Sequence, residues 1–255
     1  MSAFALAPVA PEPFPHVQAE RWLDDAVYES LKAAFPDCPA ASGPTGYTLF
    51  RGDPDFDRLV AEHPGWGEFH ARFHSQDFVD FALAQFADIF ARECRVDLSR
   101  ARYVPYVEDR IDKERGQLRR IEHAADALWV RVDIMQGRTG YARAAHLDHR
   151  RRAATLLLYF SDADADGMEG GDLLLHGPDG ATDAIRPRDN RMVMFPCHNS
   201  SLHSVSPILR QRRPRNFVQV TLSSSVDLWE PLPLPLGARL RGLGRRALSA
   251  LSARG

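Results

Sequence analysis

GYARAAHLDHRRRAATLLLYF, residues 140–160, sets His146, Asp148 and His149 within four positions and follows them with three arginines and an aliphatic run. Two readings compete: a metal site at the mouth of a sheet, or a polar turn ahead of a buried strand. His146 and Asp148 are two apart, so at the end of an extended strand their side chains share one face. His149 then points the other way and falls outside a shared site. A third ligand has to come from a facing strand, and His203, in PCHNSSLHSVSP beyond the apolar run NRMVMF, is placed for it. His198 in the same stretch is its rival, and spacing barely separates them. Two imidazoles and one carboxylate on one face of a six-coordinate metal leave three positions open for chemistry, whereas a closed four-ligand zinc site leaves none. A lone His-x-Asp carries little weight without that context.

The chain has 255 residues, of which 44% are apolar and 26% charged, ordinary values for a globular protein with a sizeable core. Its formal net charge of -2 gives no reason to expect a nucleic-acid partner. Cys38, Cys94 and Cys197 are far apart and odd in number, matching neither a zinc spacing nor a disulfide framework. No stretch approaches the length of an apolar membrane span, and the proline-interrupted start MSAFALAPVAPEPFP makes a poor signal peptide. A cytoplasmic protein is the expectation. GxSxG, GxxxxGK and dinucleotide fingerprints are all missing from the sequence.

Periodicity predicts a short helix over 22–36 and a longer one over 75–96, with Ser75 as N-cap. Residues 37–67, rich in Gly, Pro, Asp and Ser, are expected to be mostly loop. The segment 107–124 alternates charge signs and reads as a solvated helix or loop. From 127 onward the grammar is that of strands: ALWVRVDIM, ATLLLYF, GDLLLH, NRMVMF and NFVQVTL, parted by Gly/Asp/Pro turns and a long turn over 204–214. Short strands without intervening helices predict an antiparallel sandwich or barrel. The expected layout is a single domain over 1–230, with helical support at 18–126 and a barrel core at 127–226. Residues 231–255 then form a Pro-rich spacer and basic tail, with five arginines and no acid, suited at most to weak contact with an anionic surface.

Five segments in order, GYARAAHLDH, RRAATLLLYFSD, MEGGDLLLH, RMVMFPCHNSSLHSVSPI and RNFVQVTLS, resemble the 2-oxoglutarate and iron(II)-dependent dioxygenases, specifically the prolyl 4-hydroxylase-like branch. The likeness spans about 130–223, and PFPHVQAERWLDDAVYESLKAAFP is similar to the N-terminal entry of many bacterial members. The resemblance implies a mainly β fold with helical support: a double-stranded β-helix (jelly-roll, cupin-like) barrel with N-terminal helices packed on it. It implies Fe(II) ligands at His146, Asp148 and His203, with 2-oxoglutarate as cosubstrate, O2 as oxidant and ascorbate as a reductant. Arg215, or Arg213, would pair with the far carboxylate of 2-oxoglutarate. Arg215 follows His203 by twelve residues, longer than the usual family spacing, and Arg213 shares its inward parity. Tyr159 would donate its hydroxyl to the same carboxylate, and Tyr141 would lie near cosubstrate or substrate. Arg152 stands where related proteins often have lysine, and the EGGDL segment reads as architectural. The implied reaction couples decarboxylation of 2-oxoglutarate to C–H hydroxylation of a peptidyl substrate, prolyl among the options, or of a small polar one. Residues 99–125 and 161–170 would be the specificity loops. A non-catalytic jelly-roll binding or structural protein and a cupin-like isomerase are the competing classes.

Overall fold

Alternate residues of one long strand, Ala127–Gly137 (β4 in chain order), face opposite layers. Leu128, Val130, Val132 and Ile134 enter an apolar core beneath helices, while Arg131, Asp133 and Met135 line a cavity on the other side. The chain, described by a computed structural model over residues 4–105 and 123–231, is built around that division. Before β4 come β1 (Val17–Ala19), α1 (Asp25–Ala33), β2 (Gly46–Phe50), α2 (Pro54–Glu62), α3 (Pro64–Phe73), α4 (Gln76–Gln85), α5 (Ala87–Glu93) and β3 (Arg102–Tyr103). After it come β5 (Arg143–His146), β6 (Arg152–Tyr159), β7 (Leu173–His176), β8 (Thr182–Ile185), β9 (Met192–Pro196), β10 (His203–Val205) and β11 (Arg215–Ser224).

The larger sheet runs β1-β9-β6-β11-β4-β2, with β3 parallel to β4, and the smaller runs β5-β10-β7-β8. Side chains from the two sheets meet face to face: Leu173, Leu175 and Ile185 from the small sheet pack with Leu157, Tyr159, Phe195 and Phe217 from the large one. This is a double-stranded β-helix with flanking helices. Burial on both faces explains the aliphatic run in β6, where Leu156 and Leu158 turn to the helices and Leu157 to the cavity.

The helical layer buries Trp66, Phe69, Phe73 and Phe78. Phe69 and Phe73 meet edge-on with centroids 4.9 Å apart, an arrangement that adds roughly 0.5–1.5 kcal/mol to area burial. Asp24 caps α1 by accepting from Ala26 N–H and Val27 N–H, and Ser75 caps α4 by accepting from Phe78 N–H at 3.2 Å.

Several expectations are corrected. Residues 37–67 hold β2, α2 and the first turn of α3, because Pro54 and Pro64 start helices at a position where the missing N–H costs nothing. The helix expected over 75–96 breaks at buried Phe86 (φ -128°, ψ 35°), and the turn lets α4 and α5 each aim aromatics inward. Strands β8 and β10 occupy stretches read as turn, and β1, β2 and β3 join the barrel sheet from the part expected as helical support. The charged segment 107–124 lies almost wholly outside the described residues, as does the basic tail after Pro231.

Candidate metal centre

The antiparallel pairing of β5 with β10 sets His146 directly opposite His203. Their ring centroids are 4.4 Å apart, and Asp148 lies two residues beyond the end of β5. One potential ligand atom from each of His146, Asp148 and His203 falls within 4.8 Å of the other two, the one such cluster found among the described residues. Both imidazoles are oriented alike. His146 Nδ1–H donates to Ala144 O at 2.9 Å, and His203 Nδ1–H donates to Ser201 O at 2.8 Å. A carbonyl only accepts, so each ring is fixed in the tautomer that leaves Nε2 as a bare lone pair. Burial lowers the His203 pKa against the opposing pull of Asp148, which favours the neutral, ligating form.

Asp148 is held just as firmly. Its Oδ1 accepts from Arg152 Nη1 at 2.6 Å, and its Oδ2 accepts from Thr155 Oγ1 at 2.8 Å and from Cys197 Sγ at 3.4 Å. Burial pushes its pKa up, but Arg152, His203, Thr155 and Cys197 outweigh this and hold it at about 2. Arg152, Thr155 and Cys197 went unrecognised in this role from sequence. A basic residue four positions after the carboxylate is the signal that could have suggested the first.

The three residues line a cavity of about 290 Å³ whose far end is closed by Arg215. Arg215 is fully buried at the start of β11. Its Nε donates to Gly171 O at 2.9 Å and its Nη2 to Tyr159 Oη at 3.2 Å, while Nη1 has no partner among the described residues. A buried, unpaired guanidinium nitrogen is costly unless an acceptor meets it. Arg215 is among the residues lining the cavity, so the guanidinium is available to an anionic group inside it. Gly170 permits this wall: at φ +79° it sits so close to Pro207 O that an added Cβ would lie 1.9 Å away. Tyr141 lines the cavity too.

The rival residues lie elsewhere. Arg213 is exposed and its Nε donates to Asp166 at 2.6 Å, so it does not line this cavity. His198 pairs with Glu93 at 3.3 Å in the helical layer, and His149 is exposed. Two imidazoles and one carboxylate gathered on one side, with open space ahead of them, fit a six-coordinate first-row metal better than a closed zinc site.

Residues 131–220, which include all three ligand-type residues and Arg215, match the 2OG-Fe(II) oxygenase superfamily. A PKHD-type hydroxylase of Maricaulis maris is 28% identical over 117 residues, covering 41% of this chain and 51% of that protein, so the likeness spans about half of the relative's length. A crystal structure of a Phytophthora capsici prolyl 4-hydroxylase aligns with a TM-score of 0.50 at 15% identity, over 90% of this chain and 66% of that one. A Burkholderia pseudomallei oxidoreductase of the 2OG-Fe(II) oxygenase family aligns at 0.48 with 12% identity, over 84% and 86%. At 15% identity the likeness to the Phytophthora structure bears on fold alone.

Proposed function

We propose that the chain is an Fe(II)- and 2-oxoglutarate-dependent hydroxylase acting on a peptidyl or small polar substrate. The observation that carries this reading is the joint geometry of His146, Asp148 and His203 with a buried Arg215 whose Nη1 is unspent. His146, Asp148 and His203 would hold the iron. Arg215, aided by Tyr159, would grip the far carboxylate of 2-oxoglutarate, a role suited to a planar fork of donors. The bound metal and cosubstrate supply the oxidising power for C–H hydroxylation, using O2.

The chain's own residues orient and enclose. Carbonyls of Ala144 and Ser201 lock the imidazoles, Arg152 and Thr155 fix the carboxylate, and Met135, Leu157, Phe195 and Phe217 wall the cavity against water. No side chain is required as a general base. The substrate side of the lining carries Thr48, Gln219 and exposed Arg143, whose side chains show no hydrogen bond among the described residues, beside the Arg131–Asp133 ion pair at 2.6 Å. Such a wall favours a polar substrate, because an apolar one would strip water from these groups and return nothing.

Anaerobic addition of Fe(II) and 2-oxoglutarate tests the reading without knowledge of the substrate. The expected result is a weak visible charge-transfer band that disappears in Asp148→Ala. A wild-type chain that retains no iron and shows no band would sink the assignment.

A further inference from the structure

On the helical face, away from the metal centre, α4, α5 and the stretch leading to Ala101 enclose an open groove of about 600 Å³. Leu83, Ala87, Phe90 and Val96 form part of its apolar lining, and the carboxylates of Asp80 and Asp97 stand in it exposed and without an ion-pair partner among the described residues. We propose that this groove is the docking site of the chain's own C-terminal segment, residues 232–255.

Three observations converge on that occupant. First, the described chain ends at the groove's edge. Trp229 stacks on Phe90 with centroids 5.7 Å apart, Arg95 N–H donates to Leu228 O at 2.8 Å, and Arg95 Nε pairs with Glu230 at 2.9 Å. Cys94 and Val96, on either side of Arg95, both line the groove. A segment tethered at that point meets the groove at an effective concentration on the order of millimolar, so a weak contact suffices. Second, the charges match: 232–255 carries five arginines and no acidic residue, and the groove offers two carboxylates free of ion pairs among the described residues. Third, the apolar pattern matches. Leu240, Leu243, Ala247 and Leu251 recur at helical spacing, and a floor containing Ala84, Ala87 and Ala91 permits close approach of such a stripe. Either a second copy of the chain or a separate protein would lack the tether.

Backbone amide hydrogen exchange on the full chain and on a chain ending at Pro231 tests this. Amides of α4, α5 and 94–101 are expected to exchange at least about fivefold more slowly in the full chain. A synthetic peptide of residues 232–255 should restore protection to the shortened chain, less well at high salt. Ala87→Arg, at an exposed position, should abolish the protection while leaving the thermal midpoint nearly unchanged. Equal exchange in the two chains overturns the proposal, and so does protection that survives Ala87→Arg. Faster exchange spread evenly into β4 and β6 on truncation also overturns it, because that reports global stability. Protection that rises with protein concentration, alongside dimer in sedimentation, would assign the groove to a second copy instead.

Discussion

Arg215 concentrates the chemistry at the scale of one residue. A charged side chain with no exposure persists in a core only when its donors are met, and two of its three nitrogens already are. The third, Nη1, has no partner among the described residues, and under the proposed function it would receive the distal carboxylate of 2-oxoglutarate. Arg215→Ala should therefore weaken 2-oxoglutarate binding by about 2–5 kcal/mol, the cost of truncating one partner of a buried charge pair. Iron affinity, measured by anaerobic titration, should stay near wild type, since Arg215 is not among the clustered ligand-type residues. Arg213→Ala should change neither, and an inverted result would return the role to Arg213 despite its pairing with Asp166. Sequence left these two arginines open because both share one strand parity. Only the point at which β11 begins separates them, and that is set by its pairing with Gly137 of β4. That His146 and Asp148 would share one face was legible, because a two-residue spacing puts both side chains on one side of an extended strand.

At the scale of elements, α3 makes the chain acid-sensitive. Burial, with help from His74 and Arg51, pushes the His70 imidazole down to about 3, against an unfolded value of about 6.5. Between those values the unfolded chain binds a proton that the folded chain refuses, so stability rises with pH across the window and falls as pH drops below about 6.5. Urea midpoints measured from pH 7 to 4 should decline in wild type. In His70→Phe the decline should be shallower, though not absent, since His74 and His203 are lowered in the same direction. Asp148 does not mask this effect. Its depressed pKa contributes stability that is present above about 3.8 and lost only as pH falls through about 2. A slope identical in the two chains would remove His70 from the account. Helices such as α2 and α3 were hidden in the sequence because proline marks both loops and helix starts, and their amphipathic faces are short. The long strands β4, β6 and β11 were readable from their apolar content, whereas three-residue β10 is defined by its partners rather than by its own pattern.

The whole molecule divides at the large sheet. Residues of one parity on β4, β6 and β11 serve the helical core, and those of the other parity serve the cavity. The C-terminal end of the described chain lies on the helical side, with Trp229 against Phe90. Among the described residues, none after Gln219 lines the cavity that holds His146, Asp148 and His203. Removing residues 237–255 is accordingly expected to leave 2-oxoglutarate decarboxylation close to wild type, even if the helical groove loses protection from exchange. The comparison has to be made at matched folded content, because loosening α4 and α5 would lower activity by depleting the native state rather than by touching the site. Turnover that collapses in a truncated chain still melting cooperatively would mean that the tail reaches past the sheet to the cavity mouth, and the two faces would then form one catalytic unit.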